Sequence, residues 1–452
     1  MDHFLLKNGI LHCEDVPLTD ISAEVGTPVY VYSSATLTRH AQVMQAALND
    51  LADPLIAYAV KANPNPAVLA TLARAGLGGD IVSIGEYRRA RAAGMPPERI
   101  LFSGVGKTAP EMAEALAGGL LQFNLESVEE AHTLSQVAVA ANRRAPVAFR
   151  INPDVEAGTH AKITTGKADN KFGIPAAEAL AAFRAARALP GLDITGVTVH
   201  IGSQLTSLAP LEAAFKRLGS LLATLRGDGF DLEIADLGGG LGVPYGPGQP
   251  EPPSPQAYGD MVTRVTKDWN IRLAFEPGRL ISGNAGVLLS RVVRVKPGAV
   301  HPWLIVDAAM NDLMRPALYD AHHHIDAVEP SGQRMTANVV GPVCESGDTF
   351  AMAREMDAAS EGDLIVFRTA GAYGAAMSNG YNSRELTPEV LVNGDKWALV
   401  RRRIDLADAS AMPLPGLRAA RARPGRSKAC TAPRGLAANI GWRQGSIPGW
   451  PR

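Results

Sequence analysis

Between residues 55 and 279 the chain alternates short, β-rich apolar runs with amphipathic stretches whose apolar positions recur at spacings of three and four. The apolar runs fall at residues 55–62, 80–83, 100–104, 121–125, 147–152, 197–202, 234–240 and 273–279, and each reads as a strand. Helical stretches lie between them at residues 66–75, 111–117, 127–141, 176–189 and 211–225. Ser127-Val128-Glu129-Glu130 is a capping box that opens one of these helices. Alternation of this kind implies a parallel sheet, and eight repeats in roughly 225 residues match the usual size of a closed barrel. The expected fold is therefore α/β, an eight-stranded parallel (β/α)8 TIM-type barrel over residues 34–283, with a helix at 34–51 ahead of the first barrel strand.

After residue 283 the helical period stops and strand-like runs dominate, at 287–296, 303–307, 337–340, 364–369, 390–392 and 397–401. These predict a C-terminal all-β domain over 284–404. Residues 1–33, with a strand-like run at 4–13, are expected to join it, and the Pro-rich stretch 246–255 reads as an exposed loop after the seventh barrel strand.

Charge and composition narrow the picture. The chain has 452 residues, an apolar fraction of 46% and a net charge of -1. From residue 411 onward it carries eight Lys and Arg and no Asp or Glu, which leaves -9 on the preceding 410 residues. An acidic body argues against nucleic acid as a partner, and the Gly-, Pro- and Ala-rich tail over 405–452 has no apolar face, so it reads as disordered. No apolar run approaches a membrane span, and Asp2 and Lys7 do not fit a secretory signal, so the expected location is the cytoplasm. Cys13, Cys344 and Cys430 are too widely spaced to suggest a disulfide framework or a zinc site. The run His322-His323-His324 does not suggest a metal either, because consecutive side chains diverge.

In a barrel of this type the strand ends form one surface, and it is there that the chemistry gathers. Lys61 and Asn63 end the first strand, Ser83 the second, Asn152 the fifth, His200 and Ser203 the sixth, Gly238-Gly239-Gly240 the seventh and Glu276-Pro277-Gly278-Arg279 the eighth. A lysine buried at a strand end is placed to lose its proton and act as a Schiff-base amine, although a snorkelling lysine is the competing reading. Successive glycines let backbone amides approach a phosphate, although a tight turn would use them as well. Glu276 and Arg279 flank a Pro-Gly turn and either touch different parts of one ligand or pair at the surface. His200 stacks on a ligand or sits satisfied in the core. A single molecule of pyridoxal 5'-phosphate has parts to match all four.

The motifs Tyr58-Ala-Val-Lys-Ala-Asn63, His200-Ile-Gly-Ser-Gln204, Gly238-Gly-Gly-Leu-Gly242, Glu276-Pro-Gly-Arg279 and Cys344-Glu-Ser-Gly-Asp348 resemble those of the fold-type III decarboxylases, which have an alanine-racemase-like barrel. Within that group Asn152-Pro-Asp154, Thr159-His160, Thr165-Gly166, Lys171-Phe-Gly-Ile174, Met310-Asn-Asp-Leu313, Arg315-Pro-Ala-Leu-Tyr319 and Gly371-Ala-Tyr-Gly374 are most similar to the diaminopimelate decarboxylases, over about residues 28–403. The resemblance implies a lyase that releases carbon dioxide from meso-2,6-diaminopimelate to give L-lysine, the last step of lysine biosynthesis. It implies that Lys61 carries pyridoxal 5'-phosphate, that Glu276 faces its ring nitrogen, and that His200 stacks on the ring. Ser203, Gly240, Pro277, Gly278, Arg279 and Tyr373 would complete the cofactor site, and Arg279, Arg315, Tyr319, Glu345 and Tyr373 the substrate site.

Cys344 matches the family's proton donor, a role an ordinary thiol suits because it keeps its proton near neutrality. With Glu345 it would reach the pocket of a second subunit in a head-to-tail homodimer. Ala308-Ala309 stands where many members have Ala-Gly, and the family's closing helix is not recognisable beyond Arg403. The alternatives are an ornithine, arginine or carboxynorspermidine decarboxylase of the same fold, whose substrates lack a distal carboxylate for Arg315, and a non-catalytic cofactor-binding homologue.

Overall fold

A computed structural model describes residues 2–156 and 171–404. The Thr159-His160 and Thr165-Gly166 matches, and the tail over 405–452, lie outside the described residues.

Eight parallel strands close into a barrel: Leu55–Ala59, Gly78–Ile81, Ile100–Phe102, Gln122–Leu125, Ala145–Asn152, Leu192–Val199, Ile234–Asp236 and Arg272–Phe275. Each pairs with the next, and the last returns to the first through Ala274 opposite Leu55 and Phe275 opposite Ile56. The two-residue strand Ile174–Pro175 adds to the edge of the fifth.

Period-two alternation explains what fills the barrel. Toward the strand starts Leu55, Ala57, Leu101, Ile234 and Ala274 form an apolar plug. Two residues further along the same strands, or beside them, stand Ser103, Asn124, Asp236, Glu276 and Asp80, all buried. The interior therefore changes from apolar to polar toward the carboxyl ends of the strands. The opposite faces, with Ile56, Tyr58, Phe102, Phe123 and Phe149, pack on the helices in the main core.

The helices begin where short polar side chains satisfy their free amides. Ser33 caps Ser34–Ala47, Ser83 caps Ile84–Ala92, and Ser127 caps Val128–Ala140 by accepting from Glu130 N at 3.1 Å. Glu130 reaches back to Glu126 N, one residue earlier than a reciprocal box requires, at 2.7 Å. Between the barrel strands two helices were not anticipated, Ile84–Ala92 and Pro255–Thr266, and ahead of the barrel neither was Leu18–Val25. The first is rich in charge, and the second follows directly on the Pro-rich loop and is capped by Ser254.

The remaining strands form a sheet around the long Gly286–Lys296, ordered Thr349–Asp357, Arg334–Val340, Trp303–Val306, Gly286–Lys296, Val29–Ser33, Glu389–Asn393, Lys396–Arg401. Leu364–Phe367 pairs with both Gly286–Lys296 and Ile325–Ala327. The N-terminal segment contributes Val29–Ser33 to the middle of this sheet, its valines facing one core and its tyrosines the other. Phe4–Lys7, Ile10–Cys13 and Val16–Pro17 make a separate small sheet that packs on the same core. Strand content after residue 283 is not exclusive, because the short helix Arg315–Tyr319 brings two polar side chains to the barrel mouth.

Candidate active site

A cavity of about 420 Å³ opens over the carboxyl ends of the barrel strands and is lined by Lys61, His200, Gly238–Gly240, Glu276–Arg279, Arg315, Tyr319 and Tyr373. Its floor is acidic. Lys61 lies just past the first strand, and its Nζ donates to Asp80 Oδ2 at 2.7 Å. The lysine is deep in the protein, yet 40% of its side chain is open to the cavity, whereas Asp80 is wholly buried. Burial pulls the amine's pKa down, but Asp80, Glu276 and Tyr373 outweigh it and hold the amine above its ordinary value. The strand end therefore keeps the proton on Lys61 rather than removing it. Asp80 is the reason, and its side chain was not singled out because it opens the apolar run 80–83 rather than ending it.

Behind Lys61, Glu276 and Asp236 share one amide. Asn124 Nδ2 lies 3.3 Å from Glu276 Oε1 and 3.1 Å from Asp236 Oδ2. Ser103 Oγ donates to Glu276 Oε1 at 3.2 Å, and Gly238 N donates to Asp236 Oδ1 at 2.9 Å. Burial, then the charges of Asp236 and Asp80, push the Glu276 carboxyl well up, and burial raises the adjacent Asp236 as well.

The wall is built from the glycine turn and the sixth strand. Gly238 has φ +66°, and a Cβ there would stand 2.4 Å from Val199 O; one on Gly239 would stand 2.2 Å from Glu276 O. Glycine is thus required for the seventh strand end to approach its neighbours, in addition to anything it offers a ligand. Gly239 N donates to His200 Nδ1 at 3.2 Å, which places the ring proton on Nε2. Burial, with Arg150 and Lys61 nearby, holds His200 well below the usual histidine range, so the ring is neutral.

The rim is basic. Arg279 donates to Ser203 Oγ at 3.1 Å and to the Tyr245 hydroxyl, and it lies 4.9 Å from the centre of the Tyr373 ring. Its Nε is buried without a hydrogen-bond partner, as is Asp80 Oδ1. Glu276 and Arg279 do not pair: the Pro-Gly turn sends one to the floor and the other to the rim. Arg315 lies 4.8 Å from the Tyr245 ring and donates to His323 Nε2 at 3.0 Å, while His323 Nδ1 donates to Arg368 O at 2.8 Å. Tyr373 adopts φ +56°, a conformation uncommon outside glycine, fixed by its amide donating to Ala62 O at 2.8 Å. Tyr245 and His323 were not read from the sequence, since only the fold brings them against the two arginines.

Other strand-end residues act locally. Asn63 bonds Gly371 O and Asn65 N, Asn152 accepts from Asp154 N, and Ser83 is a helix cap. Gln249 and Pro250, from the Pro-rich loop, close one side of the cavity. The three consecutive histidines diverge, His322 to Arg354, His323 to Arg315 and His324 to Asp326. Among the described residues no group of three or more His, Cys, Asp or Glu is placed to hold a metal, and no helix is long and apolar enough to cross a membrane. Cys344 and Glu345 lie exposed on a loop outside the cavity lining. Asp348 shapes that loop by accepting from Met310 N and Val343 N at 2.6 and 2.7 Å.

Residues 34–283 match the family model for the pyridoxal-binding domain of pyridoxal-dependent decarboxylases. The chain is 55% identical to a diaminopimelate decarboxylase of Zymomonas mobilis over 407 residues, covering 90% of this chain and 97% of that one. The crystal structure of diaminopimelate decarboxylase from Helicobacter pylori complexed with L-lysine superimposes with a TM-score of 0.83 at 37% identity, covering 86% and 98% of the two chains. That of M. jannaschii superimposes with a TM-score of 0.87 at 33% identity, covering 92% and 98%. With this barrel, this cavity and these relatives, the chain belongs to the diaminopimelate decarboxylase family of pyridoxal-dependent decarboxylases.

Proposed function

We propose that this chain binds pyridoxal 5'-phosphate through Lys61 and decarboxylates meso-2,6-diaminopimelate to L-lysine and carbon dioxide, closing lysine biosynthesis. The observation that carries the reading is one cavity with a lysine amine and a buried acid on its floor and two arginines on its rim. The residues fit the cofactor: Lys61 opens to the cavity, the glycine turn lines it, and Arg279 Nε and Asp80 Oδ1 are left unsatisfied. When bound, the cofactor supplies an electron-accepting ring for the pair left on the substrate α-carbon as carbon dioxide departs.

The protein's own groups do the rest. Glu276 lies where a carboxyl can hold a proton at the ring nitrogen, and the neutral His200 offers a flat face for stacking. Ser203, Gly240, Pro277, Gly278, Arg279 and Tyr373 hold the cofactor, chiefly at its phosphate. Arg279, Arg315, Tyr319 and Tyr373 grip the substrate, the guanidiniums taking the distal carboxylate and leaving the distal ammonium to Glu345. Cys344 Sγ returns a proton to the α-carbon. By the family resemblance Cys344 and Glu345, which stand exposed outside this chain's cavity lining, reach the cavity of a second copy, and the working unit is a homodimer. Carbon dioxide release from meso-diaminopimelate, ornithine, arginine and carboxynorspermidine tests the assignment. Selective release from meso-diaminopimelate is expected, and a preference for any of the others would overturn it.

A further inference from the structure

The floor holds more acid than its cation balances. Asp80, Asp236 and Glu276 are all buried, and Lys61 is the cation among them, already engaged by Asp80. The next lysine along the interior, Lys107, is occupied by Glu130 and by the carbonyls of Gly104 and Asn124. Two neighbouring buried carboxylates without a cation of their own do not both ionise, because neither desolvation nor mutual repulsion is offset. One proton must be shared.

The donors decide where it sits. Asp236 receives Gly238 N on Oδ1 and Asn124 Nδ2 on Oδ2, which serve an ionised carboxylate on both oxygens. On Glu276, Ser103 Oγ and Asn124 Nδ2 both donate to the same oxygen, Oε1. The other oxygen remains to carry a proton and donate it to Asp236. The orientation of Asn124 is itself fixed, since Gln122 Nε2 donates to Asn124 Oδ1 at 2.8 Å and turns the amide nitrogen toward the acids.

We propose that Asp236 is a positioning residue, oriented through Asn124, that keeps one proton on Glu276 in the cofactor-free protein and keeps it within the pair of Glu276 and the pyridine nitrogen once the cofactor binds, where it passes to the nitrogen. The transfer balances: the Glu276 O–H bond breaks, an N–H bond forms on the ring, and the negative charge left on Glu276 is matched by the positive charge gained by the ring. Asp236 stays ionised throughout, and its charge raises the proton affinity of Glu276 and the ring nitrogen together, so that the pair does not lose its proton. This rests on the proposed function above and adds to it the residue that tunes the ring's electron demand.

Infrared difference spectroscopy tests it. In cofactor-free protein the carboxylic-acid carbonyl band of Glu276 is expected in the wild type and lost in Glu276→Gln and in Asp236→Asn, with Asp236→Ser as the alternative if the isostere does not fold. Pyridoxal phosphate should abolish the wild-type band in proportion to binding. With ring-labelled cofactor, the nitrogen-15 resonance should shift toward its unprotonated position in Asp236→Asn. Identical acid bands in wild type and Asp236→Asn, or a band that survives cofactor binding, would overturn the inference. Failure of Lys61 to take the cofactor would instead overturn the proposed function, and the cofactor-free bands would still decide the shared proton.

Discussion

The floor and the rim of the cavity are opposites. The floor places three carboxyls, Asp80, Asp236 and Glu276, against one lysine, all set by inward-facing strand positions. On the rim are two guanidiniums, Arg279 and Arg315, neither paired with a carboxylate among the described residues; both lie against aromatic rings, and Arg315 also rests on a neutral histidine. An acidic floor suits a protonated ring nitrogen and an amine, and a basic rim suits phosphate and carboxylate. The cavity is thus oriented for a ligand that is cationic at one end and anionic at the other, and the two regions fail differently when altered.

The largest effect is expected on the floor. Lys61→Ala should remove the visible absorption of the bound cofactor together with turnover, as measured by absorbance and carbon dioxide release; turnover at the wild-type rate would refute its role. Next is the proton donor. Cys344→Ala should lower kcat by about 100-fold or more, the scale of general acid catalysis, while leaving the absorption in place. Mixing it with Lys61→Ala after dissociation and reassembly should restore activity that neither variant has alone. No recovery in mixed dimers would place Cys344 in its own chain's site.

The rim should fail through binding. Arg315→Met removes charged hydrogen bonds worth about 1.5–3 kcal/mol, so KM for meso-diaminopimelate should rise roughly 10- to 150-fold with little change in kcat. An unchanged KM would remove Arg315 from the substrate site. The smallest effect concerns the prop beneath it. Burial, then the adjacent Arg315, hold His323 well below the usual histidine range, so the folded state binds fewer protons there than the unfolded one. Its contribution to stability is therefore intact above a pH of about 6.5 and lost as pH falls below that value. His323→Gln should flatten that acid-side slope in denaturant unfolding and raise KM modestly; an unchanged slope would show that His323 does not carry it.

The two regions also differed in how far they could be read from sequence. The barrel was legible because each strand is a short apolar run followed by helical spacing, and Lys61, His200 and Glu276 stand at strand ends where a barrel displays its chemistry. Asp80 and Asp236 were not singled out: Asp80 opens its apolar run and Asp236 lies inside one, and the inward direction of each depends on where the strand begins. Gly78–Ile81 begins two residues before the run that marked it. On the rim, Arg279 followed from the Pro-Gly turn and Arg315 from a motif, but Tyr245 and His323 come from distant parts of the chain. The strand Thr349–Asp357 was missed because Ala353, at φ +46°, interrupts its alternation, and the pairing shifts register nearby.

The most direct test is to reduce the cofactor-loaded enzyme with borohydride, which fixes the cofactor to its lysine, and map the peptides by mass spectrometry. One pyridoxyl group per chain, on Lys61, is expected. Labelling of any other lysine, or none, would contradict it.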